Sequence, residues 1–399
     1  MKKVYIVTAG LLIVIVLVQA CSKFEPAAPG DDELLDGPVE GLSYEQNRQF
    51  LAGDVAFNDE IFTAQTGLGS IFVATSCGSC HAGDGKGHPF TTLIRYGQSD
   101  STGNQYLNLG GPQLQNRALP GYMPEQIPAG ATFSKFTPPA NTGLGFLELV
   151  SDANILAMAD PNDANGDGIS GVPNWIALPS FITPNANASS QNGKYIHRFG
   201  KKAAAYNLLH QTVNAYNQDI GITSTFAPKD VYSGLNIDPE VSDQTVHNVV
   251  FYLQTLKAPI QRDQNDAEVI QGKNLFIQAG CESCHKQSLT TGFSNIGPLS
   301  NKTFHPYTDL LLHDMGPGLN DNYTEGNAKA YEWRTPPLWG LGLSPNSQGG
   351  QYFLMHDGRA KTIEEAIQLH GGEAAASKNK FNQMNAAERN AILKFLKSL

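Results

Sequence analysis

A chain of 399 residues has length for two or three domains, and 41% hydrophobic content excludes wholesale disorder. Charged residues are only 16%, while 40 glycines and 23 prolines point to long loops, because both residues set backbone angles that helices and strands avoid. A formal charge of −10 argues against a nucleic-acid surface, which concentrates Lys and Arg.

Lys2 and Lys3 precede an uncharged, mostly aliphatic run from Val4 that ends in Leu17-Val18-Gln19-Ala20-Cys21. A basic start, an apolar stretch and a small residue before the cut describe an export signal over residues 1–20. Cys21 directly after it resembles a bacterial lipobox, so a lipidated mature N-terminus in the cell envelope is expected, facing the periplasm. Ser22, rather than Asp, favours the outer membrane. The competing reading is one membrane anchor, but the 17 residues from Val4 to Ala20 sit at the short end of a span. Residues 21–45, with Pro26, Pro29, Asp31 and Asp32 among small residues, read as a flexible tether.

The other four cysteines fall in Cys77-Gly78-Ser79-Cys80-His81 and Cys281-Glu282-Ser283-Cys284-His285. C-x-x-C-H is the attachment signature of c-type haem. On a helical turn, positions i, i+3 and i+4 share one face, so two sulfurs can hold the vinyl groups while the histidine reaches the iron. A pooled four-cysteine zinc site would leave both histidines unexplained. Disulfides suit an exported protein, but closely spaced C-x-x-C pairs rarely serve as structural staples. Two covalently bound haem c groups are therefore expected, with His81 and His285 as proximal ligands.

The segments downstream of the two motifs repeat each other. Thr137-Pro138-Pro139 leads to Gly143-Leu144-Gly145, and Thr335-Pro336-Pro337 leads to Gly340-Leu341-Gly342. Phe251-Tyr252-Leu253-Gln254-Thr255-Leu256 pairs with Lys394-Phe395-Leu396-Lys397-Ser398-Leu399, each ending an amphipathic helix. A helix is predicted over Val269 to Ala279, with Leu275 and Phe276 beneath the haem. The last helix has Asn385 as N-cap and Glu388 three residues on, a capping-box pattern, with Ile392, Leu393 and Leu396 at helical spacing. The expected fold is mainly α: two tandem class I cytochrome c-like domains, residues 46–258 and 259–399, with long loops and insertions in the first. Between the motifs, Asp163, Asn165, Asp167 and Gly168 match a calcium-loop pattern, with the Ile169 carbonyl as a further ligand, although Asn174 stands where an EF-hand has Glu.

With these residues in hand, the chain resembles the di-haem oxidoreductase family, often labelled thiol oxidoreductases, distant relatives of bacterial di-haem cytochrome c peroxidases. The resemblance rests on residues 160–171, Arg198-Phe199-Gly200, residues 309–316, Glu332 to Gly340, and His356-Asp357-Gly358-Arg359-Ala360 through His370 to Ala374. In the peroxidase relatives, the helix after the His-Asp-Gly segment ends in the sixth ligand of the C-terminal haem. The resemblance thus implies a helix over Thr362 to Leu369 and His370 as that ligand, with Met355 and Met315 as runners-up. A haem with two strong axial ligands passes electrons, and one with an open position binds a small ligand. His313, Arg359 and His356 are implied near a haem, binding propionates or steering peroxide. Aligning the repeats sets Met158 against His370, making Met158 or His88 the candidate for the first haem, with an open iron as the alternative.

The expected function is an exported di-haem oxidoreductase, with one haem for electron transfer and the other peroxidatic. The alternative is a non-catalytic periplasmic electron carrier, and a third is an accessory module that matures or reduces a metal-handling partner. Expected partners are a small cytochrome or membrane quinol system, peroxide or a small redox substrate, and the membrane through Cys21. Calcium is the possible second cofactor. Both C-x-x-C pairs are committed to haem, which leaves no second thiol pair for thiol–disulfide exchange.

Overall fold

The computed structural model describes residues 29–98 and 104–399, so Cys21 and the export segment lie outside the described residues. Ten α-helices fall among these residues: α1 (Tyr44–Asp54), α2 (Leu144–Glu148), α3 (Asp152–Met158), α4 (Leu208–Asn214), α5 (Asp243–Thr255), α6 (Ala267–Ala279), α7 (Ser344–Ser347), α8 (Ile363–Leu369), α9 (Ala375–Gln383) and α10 (Ala386–Ser398). The fold is nevertheless mixed rather than mainly α. Eleven strands of two to five residues form five small antiparallel sheets among the described residues. Such short strands carry too few residues for a period-two pattern to register in the sequence.

Two crossed helix pairs frame the molecule. In the first, α1 crosses α5 at Gly53, where a Cβ would overlap the Asn248 carbonyl; in the second, α6 crosses α10 at Gly272, against the Ala391 carbonyl. The absence of a side chain at each glycine lets the backbones meet. One helical turn beyond each crossing stands a phenylalanine: Phe57 packs on Tyr252 (5.4 Å between ring centroids), and Phe276 on Phe395 (5.5 Å). Tyr252 and Phe395 occupy corresponding places in the repeated hexapeptide, and both are fully buried.

The Gly-Leu-Gly repeats close each pair. Gly143 and Gly340 both take positive φ, and their amides donate to the Leu256 carbonyl (3.2 Å) and the Leu399 carbonyl (2.6 Å). Two residues on, Gly145 and Gly342 lie against the carbonyls of Gln254 and Lys397, again matched positions of the repeat. The helix ends expected from sequence are present: Asn385 and Glu388 form the reciprocal cap of α10, and Thr362 caps α8 through the Glu365 amide.

Two expectations need correction. Residues 37–39, read as part of a loose tether, are fastened to the end of α5: the Val39 amide donates to the Thr255 carbonyl (2.7 Å), and the Lys257 amide to Gly37 (2.9 Å). Leu35 beside them is buried, and burying it opposes the freedom its Pro-rich surroundings suggest. Nor are added segments confined to the first half. In the second, residues 308–334 are interposed and carry a hairpin of two strands, Leu312–Asp314 and Glu332–Arg334, in which His313 lies opposite Trp333. Among the described residues no helix is long and apolar enough to cross a membrane.

Candidate cofactor site

One cavity of about 470 Å³ runs through the molecule and is lined by both C-x-x-C-H motifs. In each motif the histidine amide donates to the carbonyl of the first cysteine, at 3.0 Å, which sets the helical turn that gathers the side chains. None of the four motif cysteines forms a disulfide among the described residues. Burial pushes Cys77 and Cys281 up to about 12 and Cys80 to about 11. A dithiol built for exchange has its thiol lowered instead, so these pairs are unsuited to it. Nor do the four sulfurs pool around one ion: among the described residues, the group close enough to share a metal is Cys284, Asp309 and His313.

Both motif histidines are held neutral with Nδ1 engaged. His81 Nδ1 donates to the Pro139 carbonyl and His285 Nδ1 to the Tyr307 carbonyl, each at 3.0 Å. A carbonyl only accepts, so the proton sits on Nδ1 and Nε2 keeps its lone pair, the arrangement of a metal-binding imidazole. Burial lowers both rings to about 4, which keeps them uncharged at neutral pH. Phe57 and Phe276, the phenylalanines of the helix crossings, lie 5.9 and 6.3 Å from these rings. The carbonyl partners show where the repeat departs from its sequence: Pro139 belongs to the first Thr-Pro-Pro segment, whereas Tyr307 stands upstream of the second.

His370, directly after α8, also lines the cavity, and its Nδ1 donates to the Ala366 carbonyl at 2.7 Å. It is thus a third imidazole with Nε2 left over, and its electrostatic influence reaches His285. Met158 ends α3 and packs against the first core, but it is not a residue of the cavity wall. His88 is also off that wall, accepting the Phe90 amide at 3.1 Å and lying against Phe353. On the side of the first motif the wall instead carries Gln211, Asn214, Gln218 and Asp219. A π-helical turn, Ala215–Ile220, continues α4 there and presents Tyr216 and Asp219. Burial raises the Asp219 carboxyl to about 7 against the pull of Arg95, and its charge acts on both Cys77 and Cys80. The Tyr216 hydroxyl and Glu60 Oε2 have no hydrogen-bond partner among the described residues.

Of the three residues implied as catalytic, His313 and His356 line the cavity and Arg359 does not. His313 lines the cavity beside Cys284, with Nε2 on Asp309 (2.8 Å) and Nδ1 on Glu373 (2.7 Å). Burial opposes its charge, but the bonds to Asp309, Cys284 and Glu373 prevail and carry it to about 12. It is a fixed imidazolium with both nitrogens engaged, not a free proton carrier. His356 is stacked on Trp333 (3.6 Å between centroids) and bonded to Asp321 through Nε2 at 2.7 Å. Arg359 does not reach the cavity wall: its Nε donates to Asp357 (2.8 Å) and its Nη2 to Asp321 (3.4 Å), on a side chain 34% exposed. A guanidinium with carboxylate partners on the surface is satisfied there and has no reason to turn inward.

In the calcium-pattern loop, Asn165 and Asp167 are exposed and Asp163 is half-buried, and their side-chain oxygens accept the amides of Asp167 (2.9 Å), Ile169 (2.9 Å) and Gly168 (3.1 Å) respectively. That is the bonding of a self-supporting Asx turn. Ile169 itself is on the cavity wall. Residues that sequence reasoning passed over are Asp219, Lys86, Lys201, Lys202 and Arg334. Lys202 is fully buried, donating to the carbonyls of Lys329 (2.8 Å), Ala330 (3.3 Å) and Glu332 (2.8 Å), with its ammonium 3.9 Å from the Trp333 ring centroid. Trp333 is thereby clamped between Lys202 and His356, its indole N–H donating to the Leu319 carbonyl at 2.8 Å.

Comparison with known proteins finds a family match and several similar solved structures. The family described as "Di-haem oxidoreductase, putative peroxidase" matches residues 135–399, which include the second C-x-x-C-H motif and begin after the first. Among solved structures, the chain is similar to hydrazine synthase of Kuenenia stuttgartiensis (14% identity, 94% of each chain covered, TM-score 0.41). It is similar to the di-haem peroxidase BthA of Burkholderia thailandensis (15% identity, 94% of each chain, TM-score 0.41). A third is a MauG-like protein associated with microbial copper homeostasis (16% identity, 94% of this chain and 95% of that one, TM-score 0.39). No curated protein matches the sequence. The family match spans well over half of the chain, which therefore belongs to the di-haem oxidoreductase family.

Proposed function

We propose that this di-haem oxidoreductase divides its work between unlike centres: an electron relay at His285 and His370, and a small-ligand site at His81. The haems implied by the family would be held as haem c through thioethers at Cys77 and Cys80 and at Cys281 and Cys284. The residues fit such a group: neutral imidazoles with Nε2 free, thiols held uncharged by burial, and, on the cavity wall, the Tyr216 hydroxyl with no hydrogen-bond partner among the described residues. Haem bound there would supply one-electron iron chemistry, passing electrons where both axial positions are filled and taking a small ligand where one is open.

The observation that carries the reading is the asymmetry of the wall. His370 faces the second motif's histidine with a matching hydrogen-bonded ring, whereas the first motif is faced by amides and a carboxyl. Gln211, Gln218 and Asn214 are of the right chemistry to orient peroxide or another small oxidisable molecule. Asp219, poised near neutrality, would hold the proton that such a molecule gives up or receives. His313 stays charged and anchors Glu373 and Asp309 beside the relay. In the same reading the protein is exported and lipid-anchored through Cys21 in the outer membrane, and takes its electrons from a small cytochrome or a membrane quinol system. Calcium at Asp163, Asn165, Asp167 and the Ile169 carbonyl is supported by the residue pattern alone.

The visible spectrum of the matured protein tests this. One low-spin centre and one high-spin centre that responds to cyanide or peroxide are expected. Two low-spin centres, both indifferent to these ligands, would replace the enzyme with a pure electron carrier.

A further inference from the structure

Three cations on the cavity wall lack an anion of their own. The ammonium groups of Lys86 and Lys201 have no hydrogen bond or ion pair among the described residues. The Arg334 guanidinium donates to the carbonyls of Gly200 (2.8 Å) and Thr335 (3.2 Å) but to no carboxylate. Arg334 and Lys201 are locked together, since the Arg334 amide donates to the Lys201 carbonyl at 3.0 Å. Burial lowers Lys86 to about 8 and Arg334 to about 10, and burial with repulsion from Lys86 and Arg334 takes Lys201 well below its ordinary value.

The carboxylates whose charge reaches this cluster are already engaged. Asp357 accepts the Arg359 Nε (2.8 Å) and amide (3.1 Å). Asp309 pairs with His313 Nε2 and accepts the Leu311 amide (3.0 Å). An enclosed excess of positive charge is costly unless a ligand brings the counter-charge. The cluster also spans the two motifs. Lys86 is five residues past His81, and Gly87 beside it donates to the Pro138 carbonyl at 3.0 Å. The charge of Lys201 acts on His81, and that of Arg334 is felt by Asp309, whose own charge acts on His285.

We infer that Lys86, Lys201 and Arg334 form one carboxylate cradle shared by propionates of both haems, so that each centre feels the charge state of the other. The inference rests on reading both motifs as haem sites, but not on which iron is open. It replaces Arg359 and His313, whose charges are matched elsewhere, in the role of propionate partners.

The test is a redox titration of the holo-protein, followed in the visible spectrum. Reduction adds one negative charge to a centre, and a nearby cation favours it. Lys201→Gln should therefore lower both midpoint potentials, by about tenfold in each reduction equilibrium, or about 59 mV for a one-electron couple. Lys201→Arg should restore both toward wild type, and Lys135→Gln, exposed on the strand Thr132–Phe136, should move neither. Should Lys201→Gln not fold, Lys86→Gln is read in the same way. A shift at one haem only, or at neither, with both haems present by mass, overturns the shared cradle. A shift cancelled by inorganic phosphate assigns the cluster to a free anion and also overturns it. A mass lacking two haem increments would instead sink the haem reading itself.

Discussion

Around His81 and around His285 the chain builds one frame twice: a glycine-mediated helix crossing, a phenylalanine beneath the histidine, and a Gly-Leu-Gly turn seated on the closing helix. The two surroundings then part at two points. On the cavity wall the second has His370, and the first has Gln211, Asn214, Gln218 and Asp219. Beneath the histidine the second has Phe395, while the first has Tyr252, whose hydroxyl donates to Asp84 at 2.7 Å. Packing is thus repeated where it holds the fold, and chemistry differs where it meets the cavity.

If the frames are equivalent, they should break alike. Gly145→Val and Gly342→Val each drive a side chain into a helix carbonyl, with a left-handed glycine two residues before it to forbid adjustment. Each should cost about 3 kcal/mol or more in chemical denaturation. Tolerance at one site with collapse at the other would end the equivalence.

The wall difference predicts the next largest effect. Asp219→Asn keeps the shape but removes a carboxyl poised at about 7. Peroxide turnover should fall about 10²-fold, the scale of losing a general acid–base group. The wild-type pH profile should bend near 7, and the variant should lose that bend. An unaltered profile would remove Asp219 from the chemistry. At the other centre, His370→Ala should convert one haem from low to high spin and leave the other untouched. Met158→Leu, off the wall, should leave both spectra as they were; a spectral change there would return Met158 to the ligand set.

These residues also show what a sequence can display. Motifs whose parts are adjacent, such as Cys77 to His81 or the Gly143 and Gly340 turns, are readable because local geometry alone requires that spacing. The caps at Asn385 and Thr362 are readable for the same reason. Asp219, Lys86 and Lys201 were not: no local spacing marks them out, even though Lys201 follows Arg198-Phe199-Gly200 and adjoins Lys202, and contacts between distant segments deliver them to the cavity. Arg359 misled in the opposite way. It sits in a distinctive His-Asp-Gly-Arg run, yet the carboxylates of Asp357 and Asp321 hold it at the surface.

The smallest predicted effect concerns the side beneath the histidine. Asp84 is buried, holds a positive φ, accepts the Tyr252 hydroxyl, and lies three residues beyond His81. Burial raises its carboxyl to about 7, against the Tyr252 bond, with Asp36 and Asp54 adding to the rise. A raised carboxyl binds its proton more tightly in the folded protein than in the unfolded one, whose value is near 3.8. Its contribution is therefore complete below that value and fades as pH rises through about 7. Asp84→Asn keeps an oxygen for Tyr252 and tolerates the left-handed backbone, but has no proton to lose. Denaturation series at pH 5 and pH 9 should show a fall for wild type that is smaller in the variant by about 1–2 kcal/mol. Phe395 offers the second frame no hydroxyl, and no carboxyl corresponds to Asp84 at Ser288, three residues past His285. An equal fall in both proteins would show that the pH response arises elsewhere than beneath His81.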